Sequence, residues 1–157
     1  MTGRLTEPEH PLRTGMTNDG QIPVDRQRLS AVAAQFGLRL VLLFGSAARG
    51  QAQPDSDCDI AVAGCPPDRF WDLGVALQAT ILGGAQLDLV RLEPADPLFR
   101  YEILRDAVLL YGDPDLFCEV RAFAFRDFHD SASLFALERT LLRKKLARIK
   151  ERLRAQA

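Results

Sequence analysis

After a polar N-terminal segment, the pattern of apolar and polar positions predicts alternating helices and short strands. The first helix is expected between Asp25, which can cap its first turn, and Gly37, which suits its end. Apolar residues between these limits recur at the helical spacing: Leu29, Val32, Ala33 and Phe36. An apolar run of strand length follows at residues 38–44. We expect the helix to pack behind this strand.

Two later segments, residues 57–63 and 86–92, have the alternation of strands. In the first segment the two faces differ in polarity, with Asp57, Asp59, Ala61 and Ala63 on one and Cys58, Ile60 and Val62 on the other. In the second segment, Leu87, Leu89 and Arg91 alternate with Asp88, Val90 and Leu92. One sheet face is therefore expected to be open and polar, and the other to belong to the core.

The remaining elements complete an α+β fold. The pattern predicts a helix over residues 66–84 ended by two glycines, a helix over 97–106, a strand over 107–111 and a long helical region over 115–154. The predicted architecture is a short mixed sheet with helices packed on one face and the functional site on the other, followed by a helical C-terminal extension.

Length and composition fit one globular domain. The 157 residues, of which 47% are hydrophobic and 26% charged, are enough for a single core with two layers. Residues 1–23 contain three prolines, three glycines and few large apolar side chains, which is typical of a flexible tail. We divide the chain into an N-terminal tail at residues 1–23, a domain at 24–115 and a helical extension at 116–157.

The C-terminal region is basic and carries an apolar stripe. From residue 119 onward there are ten Lys and Arg against five Asp and Glu, whereas the whole chain has a net charge of −1. The apolar stripe consists of Leu134, Leu137, Leu141, Leu142, Leu146, Ile149 and Leu153. Two interpretations stay open: the helix folds back on its own domain, or it docks another chain, a second copy included.

Several function classes are excluded by composition. No apolar run approaches the ~18 residues of a membrane span. The three cysteines match no CxxC or zinc spacing, and residues 1–23 have no apolar core of a secretory signal. We therefore expect a cytoplasmic protein without membrane contact. The net charge of −1 argues against direct nucleic-acid binding.

The candidate chemistry lies between residues 45 and 59. Asp57 and Asp59 project from one strand face, and two like charges this close repel each other unless a cation lies between them. A hard divalent ion such as Mg²⁺ takes such oxygen ligands. Gly45 lets the backbone approach a phosphate without a Cβ, and Ser46 adds a hydroxyl at a strand-to-helix turn. The sequence therefore predicts a triphosphate site beside a metal site.

Asp88 is a lone carboxylate inside an apolar strand, where an unpaired buried charge is costly. If its strand neighbours that of Asp57 and Asp59, the three carboxylates converge. Each of these residues has an alternative interpretation. In these alternatives, Asp57 and Asp59 are a solvated loop pair, Asp88 pairs structurally with an arginine, Ser46 serves only as a helix cap, and Arg49 faces solvent instead of binding the triphosphate.

The arrangement of Gly45-Ser46, ten intervening residues and Asp57-Cys58-Asp59 resembles the signature of the DNA polymerase beta type nucleotidyltransferase superfamily. The flanks GSAARG and SDCDIAV are similar to its minimal nucleotidyltransferase branch, which includes adenylyltransferase antitoxins encoded beside HEPN-domain toxins. The resemblance covers roughly residues 29–115. It implies Mg²⁺-dependent transfer of AMP from ATP to a hydroxyl. Asp57 and Asp59 are expected to hold two Mg²⁺ ions, one of which is shared with Asp88.

The same resemblance implies that the acceptor is a tyrosine hydroxyl of a partner HEPN toxin, so that the chain acts as an antitoxin. One alternative is a small-molecule adenylyltransferase of the aminoglycoside-modifying type. Such enzymes need a second lobe, and only a helical tail follows Tyr111 here. The other alternative is a non-catalytic antitoxin that neutralises its partner by binding alone.

Overall fold

The fold is organised around a four-stranded sheet. A computed structural model describes residues 24–155, and the predicted tail at residues 1–23 lies outside them. The strands are β1 (Leu40–Leu43), β2 (Cys58–Ala63), β3 (Leu87–Arg91) and β4 (Val108–Gly112), in the order β3-β2-β1-β4. β1 runs antiparallel to β2 and β4, whereas β2 and β3 are parallel. The prediction of a short mixed sheet is confirmed.

Five α-helices accompany the strands in the described part of the chain: α1 (Arg26–Gln35), α2 (Gly45–Ala48), α3 (Phe70–Gln78), α4 (Pro97–Asp106) and α5 (Pro114–Ala155). Asp25 caps α1 as predicted, because its carboxylate accepts a hydrogen bond from the Arg28 N–H at 3.0 Å. α3 ends before the glycines that were predicted to end it. Its expected apolar position Ile81 forms an isolated β-bridge with Val24 instead.

The sheet separates two groups of buried side chains. α1 and α3 pack on the face of Ile60 and Val62, where the helices were predicted. α4 and the beginning of α5 cover part of the other face, against Leu40, Leu42 and Ala61. That face is therefore only partly open, and its uncovered end is the one at which Asp59 lies.

Arg100 on α4 joins the loop after β3 to α5. Its guanidinium donates hydrogen bonds to three loop carbonyl oxygens, those of Leu92 at 3.2 Å, Glu93 at 3.1 Å and Ala95 at 2.7 Å. It also forms a salt bridge of 3.2 Å with Asp127 of α5. A side chain with this many partners holds the loop in one conformation.

α5 extends well beyond the domain. It contains 42 residues, so its length is about 63 Å at about 1.5 Å per residue. Its first part packs on α4, where the rings of Tyr101 and Phe128 stack at 4.6 Å. The apolar stripe that was predicted along its second part is exposed, with relative accessibilities from 43% to 64%. This part of α5 does not fold back on the domain.

None of the helices within residues 24–155 combines the length and the apolar character needed to cross a membrane.

Candidate active site

Asp59 is the centre of a carboxylate cluster at the open end of the sheet. It lies on β2 and is partly buried, on the face that also carries Ala61 and Ala63. Cys58 and Ile60 point to the opposite face and are fully buried. Asp57 immediately precedes β2 and is exposed. The predicted alternation of side chains between two faces is confirmed, but the expectation of an open polar face is wrong beyond Asp59, because Ala61 and Ala63 are buried in the second group of core side chains.

Asp88 lies beside Asp59 in the parallel pair of β2 and β3, since the two residues are register partners. Neighbouring strands are about 4.8 Å apart, so the two side chains project from one face side by side. Asp88 is exposed, and no arginine among residues 24–155 forms a salt bridge with it. The alternative that Asp88 forms a structural ion pair with an arginine is therefore wrong for the described residues.

The charges of the cluster act on Asp59. Burial raises the pKa of Asp59 above its usual value, and the neighbouring carboxylates of Asp88 and Asp57 raise it further. The guanidinium of Arg49 opposes these effects and lowers the same pKa. The site concentrates negative charge that a bound cation would neutralise.

Gly45 brings the turn after β1 against Asp59. Its φ of +70° is unfavourable for a residue with a side chain, and a Cβ built on it would contact Asp59 Oδ2 and lie 2.8 Å from Asp59 Cγ. The Phe44 N–H donates a hydrogen bond of 3.0 Å to the Asp59 carbonyl oxygen. The glycine was predicted for its approach to phosphate. The structure shows in addition that it leaves space for the Asp59 carboxylate.

Ser46 and Arg49 flank the same turn. Ser46 lies within α2, whose N-cap is Phe44, so the interpretation of Ser46 as the helix cap is wrong. Arg49 follows α2, is exposed, and donates a hydrogen bond of 3.4 Å from Nε to Gln51 Oε1. Contact of Ser46 and Arg49 with a triphosphate stays a prediction.

The residues suit a hard divalent cation after side-chain rotation. No group of three or more His, Cys, Asp or Glu side chains in the described ranges is already arranged to hold a metal ion. Asp57 and Asp88 are exposed, so their carboxylates can turn towards Asp59 without displacing packed atoms. Oxygen donors of this kind are the ligands that Mg²⁺ prefers, and the missing Cβ of Gly45 keeps the space at Asp59 open.

A groove beside β3 was not predicted. It has a volume of about 410 Å³ and lies along the outer edge of the sheet. Its lining consists of Phe70, Leu89, Val90, Arg91, Pro94, Ala95, Asp96 and Phe99. These residues come from α3, β3, and α4 with the loop before it, so no local pattern in the sequence could indicate that they meet.

Comparison with known proteins decides the family. The sequence profile of the family "Polymerase beta, Nucleotidyltransferase" matches residues 27–115, which is more than half of the chain. The chain belongs to the polymerase beta nucleotidyltransferase family. The matched range of this nucleotidyltransferase contains the turn at Gly45 and the three carboxylates. No curated protein matches the sequence significantly.

Solved structures share the fold of this nucleotidyltransferase. A toxin-antitoxin complex crystallised with AMP-PNP contains a chain with 21% identity and a TM-score of 0.63, and the match covers 76% of this chain and 99% of that one. The complex of a tri-AMPylated Shewanella oneidensis HEPN toxin with an MNT antitoxin gives 20% identity and a TM-score of 0.57, covering 74% and 95%. The predicted fold class is confirmed, since at these identities the likeness concerns the fold.

Proposed function

We propose that this nucleotidyltransferase transfers AMP from ATP to a hydroxyl group on a partner protein, with Asp57, Asp59 and Asp88 as its catalytic carboxylates. The observation that carries the proposal is the pairing of Asp59 with Asp88 on neighbouring strands, directly against the Gly45 turn. Membership of the family supports nucleotidyl transfer. A structural neighbour crystallised with AMP-PNP supports an adenine nucleotide.

In the proposed reaction, the acceptor oxygen forms a bond to the α-phosphorus of ATP. The bond from that phosphorus to the bridging oxygen of the β-phosphate breaks, and pyrophosphate leaves with the electron pair. Asp88, which is exposed, accepts the proton of the hydroxyl. Gly45, Ser46 and Arg49 bind the triphosphate. Asp57 and Asp59 would hold two Mg²⁺ ions, one of them shared with Asp88. When bound, these ions supply charge that neutralises phosphate oxygens and lowers the pKa of the hydroxyl.

The strand order supports an in-line geometry for this transfer. β2 lies between β1 and β3, so the Gly45 turn after β1 and Asp88 on β3 are on opposite sides of Asp59. A leaving pyrophosphate held at the turn and an acceptor held at Asp88 would therefore face each other across the central carboxylate. In-line displacement requires this relation between attacking and leaving oxygens.

The proposed acceptor is a tyrosine of a HEPN-type toxin, which makes the chain an antitoxin. Structural neighbours that are toxin-antitoxin complexes support this class of partner. The exposed apolar stripe of α5 would contact the toxin. Its basic flanks, among them Arg143, Lys144 and Arg148, suit an acidic rim on the partner. They disfavour a second copy of α5, because like charges would face each other.

The small-molecule alternative lacks support from the described chain. A single uninterrupted helix, α5, follows β4, so residues 113–155 form no second lobe to enclose a drug-sized acceptor. The non-catalytic alternative shares the contact with a partner but lacks the transfer of AMP, and an experiment must distinguish the two.

The test is transfer of label from ATP. The purified chain is incubated with Mg²⁺, a HEPN protein encoded beside it, and ATP labelled on either the α- or the γ-phosphate. We expect the α-label on the HEPN protein and the γ-label in pyrophosphate. Asp59→Asn should abolish transfer, whereas Asp55→Asn, which removes an exposed carboxylate from the same loop, should retain it. Transfer of the γ-label, or equal transfer by wild type and Asp59→Asn, would contradict the proposal.

A further inference from the structure

β3 is an edge strand, and half of its backbone groups point away from the sheet. At its two ends, the Cys58 N–H donates to the Gln86 carbonyl oxygen at 2.7 Å and the Leu92 N–H donates to the Val62 carbonyl oxygen at 2.9 Å. Because backbone groups alternate in direction along a parallel strand, the residues whose groups face β2 are Gln86, Asp88, Val90 and Leu92. The groups that face outward belong to Leu87, Leu89 and Arg91.

Hydrogen bonding of the outward backbone groups differs between the two ends of β3. The Leu87 N–H donates to Gln78 Oε1 at 2.8 Å, so a side chain of α3 already occupies the outward donor at that position. Within residues 24–155, nothing pairs with the outward N–H and C=O groups of Leu89 and Arg91. Arg91 Nε is also buried without a hydrogen-bond partner. An edge with unpaired backbone groups is a template on which a further strand can pair.

The groove of about 410 Å³ lies along this open half of β3. Phe70 of α3 forms part of its wall from one side of the sheet, and Phe99 of α4 from the other. The loop that contains Pro94 and Ala95 forms part of its lining and is held by the guanidinium of Arg100. The groove is largely open to solvent beside these strand groups, so the side chains of one more strand can enter it.

We propose that an extended segment of the acceptor protein binds here as a fifth strand of the sheet, with its reactive hydroxyl residue opposite Asp88. This inference rests on the proposed function, which it deepens by naming how the acceptor is recognised. Strand addition of this kind obtains affinity from ladder hydrogen bonds and specificity from pockets for alternate side chains. Leu89 and Arg91 provide the ladder groups, and the groove provides the pocket.

The register determines what the segment must contain. Side chains directly opposite each other on neighbouring strands share a face, with Cβ atoms about 4.5–5.5 Å apart. A residue opposite Asp88 therefore presents its hydroxyl on the face of Asp59, where its oxygen forms the bond to the α-phosphorus and its proton passes to Asp88. The residue two positions away lies opposite Val90, which lines the groove. The acceptor class is a hydroxyl residue two positions from an apolar one in an extended segment.

A backbone-methylation series tests the pairing without altering the protein. The probes are short synthetic peptides with one tyrosine and a leucine two positions away, each N-methylated at a single position, assayed with labelled ATP and Mg²⁺. Only alternate amides of an added strand face β3, so we expect kcat/KM to fall about tenfold at every second position and little at the positions between. Counted from the tyrosine, the sensitive positions are either the even or the odd ones, and this distinguishes a segment that runs parallel to β3 from one that runs antiparallel.

A matched pair of protein variants tests the groove. Phe99→Ser should raise KM for the peptide about tenfold, because it removes an apolar wall. The stabilisation of the protein by ATP should stay unchanged, since Phe99 lines the groove and is not one of the residues proposed to bind the triphosphate. Trp71→Ser removes an aromatic side chain that is 82% exposed and outside the groove, so it should leave both quantities unchanged.

The outcomes separate this inference from the proposed function. Uniform tolerance of N-methylation, or equal KM values for Phe99→Ser and Trp71→Ser, overturns strand addition. Labelling of the folded HEPN protein with no labelling of any peptide also overturns it and leaves the proposed function standing. If neither acceptor is labelled, the proposed function itself fails. If two copies of this chain form a dimer through the edge of β3 and the peptide cannot displace it, that edge belongs to a second copy and the inference is overturned.

Discussion

At the scale of single residues, Gly45 can be tested against a glycine that differs from it only in its surroundings. Gly45 and Gly50 have φ values of +70° and +71°, but a Cβ on Gly50 has no atom within 4 Å whereas one on Gly45 contacts Asp59. Gly50→Ala should therefore lower the free energy of unfolding by about 1 kcal/mol through backbone strain alone. Gly45→Ala should lower it further.

The two variants should differ most in nucleotide binding. ATP with Mg²⁺ is expected to raise the melting temperature of the wild type, because a ligand that binds only the folded state stabilises it. Gly50→Ala should keep this rise, and Gly45→Ala should lose it as the methyl group displaces the Asp59 carboxylate. A full rise with Gly45→Ala would mean that the nucleotide binds elsewhere.

Asp59 predicts a pH-dependent stability in the absence of metal. Its pKa is raised in the folded protein, by burial first and then by the charges of Asp88 and Asp57. The folded state therefore holds this proton more tightly than the unfolded state, and stability falls as the pH rises through the raised pKa. The Asp59→Asn variant has no carboxyl group at this position, so this loss of folding stability at higher pH should be absent.

With a chelator present, Asp59→Asn should therefore melt at the same temperature as the wild type or higher at about pH 7, and the difference should shrink towards about pH 3.5, below the usual aspartate pKa. Thermal denaturation across this range measures it. A variant that is clearly less stable at neutral pH would indicate that Asp59 is part of a structural ion-pair network. The removal of one charge from a cluster of like charges would then not be the dominant effect.

At the scale of elements, the exposed stripe of α5 predicts a contact that is separable from catalysis. Leu142→Glu and Leu146→Glu place charge on the stripe, whereas Ala136→Glu and Ala147→Glu place the same charge on the opposite side of the helix. The stripe variants should weaken binding of the HEPN partner at least about tenfold, since truncated apolar anchors dominate interface energies. The alanine variants should bind normally in calorimetric titration. Equal affinities across all four would exclude the stripe as the interface.

The loop between β3 and α4 depends on one arginine. Arg100→Met removes the donors to three loop carbonyl oxygens and to Asp127, and should lower the free energy of unfolding on the order of 2 kcal/mol. Arg105→Met on the same helix removes only a contact with the adjacent Asp106 and should change stability little. Denaturant unfolding of both variants measures the difference. Similar losses for the two would contradict the role given to Arg100.

Local periodicity was sufficient to predict the elements but not how they pack together. The helix at Pro97–Asp106 was predicted to the residue, because a proline after a capping aspartate defines its start. The end of α3 was placed too late, because Ile81 fits a helical period but is used in a bridge with Val24. Coverage of the second sheet face by α4 and α5 depends on contacts between distant segments, which no local pattern encodes.

The candidate site, like the fold, could be predicted only in part from the sequence. The apolar strand around Asp88 was enough to suggest that Asp88 and Asp59 are neighbours, and their pairing in the sheet confirms it. A shared face for Asp57 and Asp59 stays a prediction, because Asp57 precedes β2. The groove at β3 could not be predicted, because Phe70 and Phe99 are far apart in the chain and meet only through the sheet. Which protein carries the acceptor could not be predicted from the residues of this chain.

At the scale of the whole molecule, the face that carries the carboxylates and the basic, apolar-striped part of α5 are different surfaces. The carboxylates lie at the open end of the sheet, and the stripe begins at Leu134, after the residues Asp127 and Phe128 that contact α4. Contact with a partner and chemistry on that partner should therefore respond to different mutations. This separation distinguishes an enzymatic antitoxin from one that acts by binding alone.

The most direct measurement is the intact mass of the HEPN partner purified from cells that co-express it with the wild-type chain or with Asp59→Asn. We predict that the wild-type chain yields a partner heavier by one or more AMP groups and restores growth. Asp59→Asn should form the same complex, leave the partner mass unchanged and fail to restore growth at equal expression. Full protection by Asp59→Asn with an unmodified partner would contradict the account, because neutralisation would then require contact and no chemistry.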